Sequence, residues 1–442
     1  MNQLAPVLNA HSSINVDEQP HAFIFNENNL LKYEMASMQT MSLIHQALRS
    51  AKQVHSGVCH KELSKQIARV ELNQPLNNVE QALGEVKSLY LDHAVYFHHP
   101  KYVAHLNCPV AYPAVIAEQL LTAINSSLDT WDQSAGGTLI EQKLIDWSIE
   151  RIGLSATADG IFTSGGSQSD LMALLLARDH AAERLSGHLI RDFGLSPDAH
   201  RYRIFCSEVS HFSIQKSAAL LGLGYNAVVP VAVDKEFKMD LAALDAAIDE
   251  CKAQGNIPIA LVATAGTTDF GSIDPIDKLK ARCKADNLWL HVDAAYGCGL
   301  LAADDHRHLL NGIEQADSVT LDYHKSFLQP VSSSAFIVAN KKQNYQAFTR
   351  ADKNIEGILL GKDKNVEFTK ENLAGKTFLF PAPNAFAATL LTKFELRTNY
   401  GIDLDKEAKV LYVNSHDSVY KVISRDIVYI GGGIIRTFNN FL

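Results

Sequence analysis

The sequence predicts an α/β protein built on a mostly parallel β-sheet, and three observations carry that reading. Short apolar runs recur through the middle of the chain, and helix-like stretches such as "SDLMALLLARDHAAERL" and "DLAALDAAIDECKAQG" separate several of them. The runs are close to continuously apolar, as strands covered on both faces require. Polar and reactive residues gather just after the runs, and open α/β sheets bind ligands beyond the carboxyl ends of their strands.

In chain order, residues 1–95 read as a leader followed by helices. "LLKYEMASMQTMSLIHQALRSA" and "NNVEQALGEVKSLYLDHAV" carry apolar residues at helical spacing, with Asn78 as a cap for the second. These helices read as arms for a partner subunit or, equally, as helices lying on their own subunit. Residues 96–340 hold the sheet: "GIFTS" (160–164), "RIFCS" (203–207), "AVVPVAV" (227–233), "PIALVATAG" (258–266), "LWLHVDAA" (288–295), "SVTLDYH" (318–324) and "SAFIVAN" (334–340). Residues 341–442 read as a small α+β domain. There "NAFAATLLTKFELRTN" is a helix, "KVLYVNS" and "DIVYI" are strands, and "GGG" at 431–433 is a turn.

Bulk properties exclude several classes. With 442 residues, 47% of them apolar and 20% charged, the chain has the balance of a protein with a sizeable core. A net charge of −9 argues against general nucleic-acid binding. The six cysteines are scattered without a CxxC pair, which suits reduced thiols in a cytoplasmic protein. "MNQLAPVLNAHSSINVDEQ" lacks the basic start and apolar core of a secretory signal. No run approaches the about 18 apolar residues of a membrane helix. "HH" at 98–99 and "HLNC" at 105–108 match neither HExxH nor a finger spacing, so no metal site is expected.

The strand ends carry the chemistry. After "GIF" comes "TSGGSQSD" at the head of a helix, where Gly165 and Gly166 allow close backbone approach and the helix start favours an anion. This suits a phosphate, although alone it reads equally as a Gly/Ser turn with a cap. His211 follows "RIFCS", and a lone histidine there is more often structural. Thr267 and Thr268 follow "ALVATAG", as turn caps or ligand contacts. Asp293 ends "LWLHVD", where a carboxylate is costly unless paired, and the small Ala294 and Ala295 leave flat space beside it. Lys325 follows "SVTLDYH". A phosphate cradle, a buried acid, flat space, an imidazole and an amine are what an aldehyde cofactor with a phosphate arm and a ring nitrogen needs, which points to pyridoxal 5'-phosphate.

The sequence resembles the group II pyridoxal-phosphate decarboxylases. The motifs that carry this are "TSGGSQSDLMALLLAR", "HFSIQKSAALLGLG", "ATAGTTDFGSIDP", "HVDAAYGCGLL" and "DSVTLDYHKSFLQPVSSSAF". The run "YVAHLNCPVAYPAVIAEQLLTAINSSLDTWDQSAGGTLIEQKLIDW" is similar to bacterial siderophore-pathway lysine and diamino acid decarboxylases. The resemblance implies a fold-type I large domain with a mostly parallel seven-stranded sheet, an N-terminal helical segment and a small C-terminal domain. It implies Lys325 as the covalent cofactor anchor, Asp293 as partner of the ring nitrogen, and His211 and Ala295 on opposite ring faces. Gly166, Ser167 and His324 would hold the phosphate, with Thr268 beside the ring. Asn107 and Cys108 match a loop near the substrate carboxylate, though relatives often have Thr for Cys108 and some have Asn for Asp322. Trp131 with Asp132, or Asp129, would receive the distal ammonium of a diamino acid; capping and surface roles suit these acids equally. The implied reaction is decarboxylation of lysine to cadaverine, or of ornithine or 2,4-diaminobutyrate, for siderophore or polyamine synthesis, in a homodimer with shared active sites.

One stretch departs from the family. After the lysine strand the family carries a tyrosine on a mobile loop, which returns the proton to Cα, and later an Arg-Arg-Phe helix. Here "TRADKNIEGILL" has Arg350, Ala351 and Asp352 in place, but Lys353 where the tyrosine belongs, and no Arg-Arg-Phe follows. Either the chain as read skips residues of that loop, or the protein lacks it. In the second case an inactive pyridoxal-phosphate-binding protein becomes the alternative. An aminotransferase-like enzyme of the same fold is the other.

Overall fold

The computed structural model describes residues 23–76, 78–103, 106–128, 133–343, 357–361, 369, 376–381, 383, 388–389, 391–413, 415–424 and 429–434. The chain divides into two compact units, one of Met1–Ile124 with Asp322–Ser333 and one of Asn125–Leu321 with Ser334–Leu442.

The first unit carries α1 (Leu30–Ser50), α2 (His60–Ile67), α3 (Val79–Leu89) and α4 (Tyr112–Ile124). Asn78 caps α3 as expected: its side chain accepts from the Gln81 N–H at 2.9 Å. The helices bury little of themselves. In α1 only Ala47 is buried, and α4 buries none of its residues. Tyr112, Leu120, Leu121 and Ile124 of α4 are 82%, 65%, 64% and 75% exposed. The Ala111 N–H donates to the Leu328 carbonyl at 2.9 Å and ties the segment after Asp322 to the start of α4.

The second unit opens with α5 (Ala135–Ile152) and β1 (Asp159–Thr163), then α6 (Gly166–Ser186), α7 (Ile190–Phe193), β2 (Tyr202–Ser207), α8 (Ser213–Leu220), β3 (Val228–Val231) and α9 (Leu241–Ala253). It continues with β4 (Ile257–Thr264), α10 (Ile276–Asp286), β5 (Trp289–Asp293), β6 (Ser318–Asp322, whose last residue belongs to the first unit) and β7 (Ser334–Val338). Each of the seven apolar runs overlaps one strand of a seven-stranded sheet ordered β1-β7-β6-β5-β4-β2-β3. The pairs β2–β3, β2–β4, β4–β5 and β5–β6 are parallel, and β1–β7 is antiparallel. The parallel strands therefore bring the segments after β2, β4 and β5 to one edge. Ala173, Leu174, Ala177 and Ala181 of α6 recur at helical spacing and pack on Ile204, Val262 and Phe336 in the main core.

The small C-terminal domain is a second sheet, of β8 (Gly357–Gly361), β9 (Thr377–Phe380), β10 (Lys409–Tyr412) and β11 (Tyr429–Ile434) in the order β10-β9-β11-β8. Helices α11 (Leu391–Tyr400), α12 (Leu404–Glu407) and α13 (His416–Ile423) join or flank its strands. Alternate residues of β9 feed two cores: Phe378 and Phe380 meet Leu396 and Leu404, while Leu379 meets Val419, Tyr420 and Ile423. The "GGG" run, expected to turn, lies inside β11, with Gly431 opposite Leu360 and Gly433 opposite Ile358. The reason is helix packing: a Cβ on Gly431 would land on Ile423 Cδ1 and Val419 Cγ1 of α13.

Candidate active site

The second unit assembles most of the expected residues at strand ends. Gly165 precedes α6 in extended backbone, and a Cβ there would meet nothing within 4 Å. The N–H groups of Gly166 and Ser167 head α6, where no earlier turn can accept them. The neighbouring Ser164 is spoken for: its N–H and its hydroxyl each donate to Gln168 Oε1 at 2.8 Å. The start of α6 is thus open on its glycine side and fixed on its serine side.

Asp293 is 6% exposed at the end of β5, and its Oδ1 accepts from the Ala295 N–H at 3.1 Å. That bond turns the chain sharply and sets Ala294 and Ala295, both buried, against the sheet edge. The turn is braced by the Gly297 N–H, which donates to the Ala265 carbonyl at 2.9 Å. Thr268 is half-buried after β4, beside the buried Thr267, whose hydroxyl shares a 2.8 Å hydrogen bond with Ser272 Oγ. His211 is half-buried before α8, with its Nδ1 2.8 Å from Ser213 Oγ.

Behind this edge lies a buried polar stripe that the sequence reading missed. Asp170 of α6, 2% exposed, accepts from Ser213 Oγ at 2.7 Å through Oδ2 and from Thr320 Oγ1 at 3.1 Å through Oδ1. His291 Nε2 lies 3.2 Å from the same Oδ1, and its Nδ1 lies 2.9 Å from Ser318 Oγ. Trp289 Nε1 donates to Ser318 Oγ at 2.8 Å. A signal for it was present. His291 and Asp293 alternate on β5, Ser318 and Thr320 alternate on β6, and the strands pair His291 with Ser318 and Asp293 with Thr320. Residues two apart share a sheet face, so two polar pairs in apolar runs foretell one polar face.

Another buried acid sits one loop away. Asp274 accepts from the Met239 N–H at 2.7 Å and the Thr264 N–H at 2.8 Å. Burial nevertheless pushes its carboxyl up to about 6, with those two bonds opposing the shift.

The first unit holds Lys325. Its Nζ is 2.9 Å from Oδ2 of Asp322, which is 2% exposed, and His324 Nε2 is 3.5 Å from the same oxygen. His324 is held at both ends of its residue, because Ser333 O accepts from its backbone N–H at 3.1 Å and lies 2.8 Å from its Nδ1. Cys108 is half-buried. Burial raises its thiol, and the nearby Lys325 charge opposes the rise, so Cys108 and Lys325 share one electrostatic neighbourhood. Asn107 is exposed. Asp129, Trp131 and Asp132 lie outside the described residues, as does Arg350 to Lys353 where the tyrosine loop was expected.

Two family models match the chain. Residues 62–356 match the pyridoxal-dependent decarboxylase conserved domain. Residues 324–441 match a model described as ABC transporter, phosphonate, periplasmic substrate-binding protein. Among curated relatives, an L-2,4-diaminobutyrate decarboxylase of Acinetobacter baumannii is 36% identical over 74% of this chain and 66% of its own length. A protein of the same name from Rhizobium meliloti is 38% identical over 72% of this chain and 62% of its own. The chain thus spans a little under two thirds of each of these relatives. Among solved structures, the glutamate decarboxylase domain of diaminobutyrate-pyruvate transaminase and L-2,4-diaminobutyrate decarboxylase from Vibrio parahaemolyticus superposes with a TM-score of 0.70. It is 39% identical and covers 73% of this chain and 70% of that one.

Proposed function

The chain belongs to the pyridoxal-dependent decarboxylase family, and from that premise we propose that it removes the carboxylate of an L-diamino acid with pyridoxal 5'-phosphate as its cofactor. The observation that carries the proposal is a buried carboxylate, Asp293, at the end of β5, on the strand paired with the one that runs into Lys325. The residues present fit the cofactor. The glycine-headed start of α6 and His324 suit its phosphate, Asp293 its ring nitrogen, His211 and Ala295 its two faces, Thr268 its edge and Lys325 its aldehyde. When bound, the cofactor ring takes up the electrons released as the bond between Cα and the carboxylate breaks.

The chain's own residues set up that step. Asp293, withdrawn from water, would hold a proton on the ring nitrogen more firmly than an exposed acid. Asp322 keeps Lys325 as a paired ammonium. His324 Nε2, 3.5 Å from the same Asp322 oxygen, joins the pair. Asn107 and Cys108 are proposed to face the substrate carboxylate. The relatives named for 2,4-diaminobutyrate put that amino acid beside lysine, the substrate suggested by the motif resemblance, and ornithine lies between them in length. The amine product would serve siderophore or polyamine synthesis.

We also propose a cytoplasmic homodimer with 1–95 as its arm, 96–340 as the cofactor domain and 341–442 as the small domain. The uncovered apolar face of α4 supports the dimer, and the six cysteines, none of them in a disulfide, support the compartment. No helix among the described residues is long and apolar enough to cross a membrane.

A second reading has its own observation. The model matching 324–441 overlaps the decarboxylase match over 324–356 and runs on beyond it, so cofactor binding without turnover, joined to an anion-binding C-terminal module, is the competing function. Borohydride reduction followed by peptide mass mapping, together with carbon dioxide release from 2,4-diaminobutyrate, lysine and ornithine, separates the two. A Lys325 adduct with carbon dioxide supports the first reading. An adduct without it, with heat released on titrating methylphosphonate, supports the second. The lack of any adduct sinks both.

A further inference from the structure

We infer that Asp170, acting through Ser213, fixes the proton of His211 on Nδ1 and leaves Nε2 as the nitrogen that accepts a proton. This deepens the proposed function and rests on its placing of His211 at the cofactor. A carboxylate can only accept, so the Ser213 hydroxyl, 2.7 Å from Asp170 Oδ2, spends its single proton there. That distance falls in the range of a hydroxyl bound to a carboxylate. With its proton committed, Ser213 Oγ can only accept at the 2.8 Å contact with His211, and Nδ1 must donate. The Ser213 N–H lies 3.3 Å from the same Nδ1 and would favour the opposite tautomer, but it is the longer contact and involves no charge.

The anchor itself is well held. Asp170 also receives Thr320 Oγ1 at 3.1 Å and faces His291 Nε2 at 3.2 Å, all within the buried stripe. An indole can only donate, so Trp289 at the far end orients Ser318 toward His291 Nδ1. The Ser318 carbonyl, 3.2 Å from His291 Nδ1, favours a proton there, but the Asp170 carboxylate at Nε2 can only accept and carries the charge, which draws the proton to Nε2. Asp170 and Ser213 are positioning residues: they act through His211 and set which of its nitrogens carries the proton.

The test is ¹⁵N imidazole spectroscopy of the full chain labelled at histidine, without added cofactor, with His211 assigned by loss of its signal in His211→Gln. The expected spectrum is that of the Nδ1–H tautomer. Ser213→Ala should abolish that preference and shift the signals toward Nε2–H, and Asp170→Asn should do the same by freeing the Ser213 proton. If Asp170→Asn fails to fold, Ser213→Ala alone decides, because it removes one oxygen and leaves Asp170 two partners. An Nε2–H tautomer in the unaltered protein, or an Nδ1–H tautomer that survives Ser213→Ala, overturns the inference. The reading is independent of turnover. A failed decarboxylation assay leaves it standing, and a wrong tautomer leaves the Lys325 adduct untouched.

Discussion

The two sheets of the second unit are made alike and used differently. Both set parallel strands beside helices, and both contain a glycine where two segments come too close for a side chain. The seven-stranded sheet runs polar residues through its interior, with Asp170, His291, Ser318, Thr320 and Asp293 all buried. In the C-terminal sheet the buried polar residues described are two threonines, Thr389 and Thr392, and its core clusters are built from Phe, Leu, Ile, Val and Tyr. A fold does not require buried carboxylates and imidazoles, which are costly unless paired. Their concentration in one sheet marks where chemistry is placed, and their scarcity among the described residues of the other fits a buried core held by apolar packing.

The comparison can be broken most sharply at Lys325. Lys325→Ala should abolish the borohydride adduct completely while both sheets still fold, as followed by circular dichroism, with some loss of stability because the buried Asp322 loses its ammonium partner. Next in size, Phe378→Ala should destabilise the C-terminal sheet by about 3–5 kcal/mol. It should leave the adduct at Lys325 in place; an adduct lost along with that sheet would show that the two regions are one cooperative body.

The third prediction concerns Asp274. Its folded carboxyl titrates near 6, above the usual carboxylate value, so the folded state holds its proton more tightly than the unfolded chain does. Stability should therefore fall as pH rises from about 4 to about 6, by up to about 3 kcal/mol, and level off above that. Asp274→Asn should lose this slope, and it should be less stable above pH 6 because one of the two backbone N–H groups loses its oxygen. Urea unfolding of both proteins across that range checks the sign. The smallest effects are expected at the paired glycines. Gly297→Ala would put a Cβ on the Ala265 carbonyl oxygen and Gly431→Ala one on α13, each costing about 1–3 kcal/mol. Only the first should also weaken cofactor retention, because only Gly297 braces the turn after Asp293.

Much of the larger sheet was legible. Its strands are near-continuous apolar runs, and Asp293 and Lys325 stand out because a charge at the end of such a run is expensive. The polar stripe was harder to read. Asp170 sits just past the first turn of α6, near enough to the helix start to read as an acid serving its dipole, and His291 is one residue in a strand; only the register of β5 on β6 joins them. The C-terminal sheet was harder still. Its β9 and β10 are four residues long, and "GGG" reads as a turn until α13 is seen to lie across it.

The face of α4 has one more consequence. Six large apolar side chains on a helix of 13 residues, each at least half exposed, meet water only until another surface covers them. If a second copy is that surface, association and folding share one equilibrium, and dilution acts as a mild denaturant. The melting temperature would then be a property of the tube as well as of the chain, climbing with protein concentration and sinking in the nanomolar solutions used for kinetics.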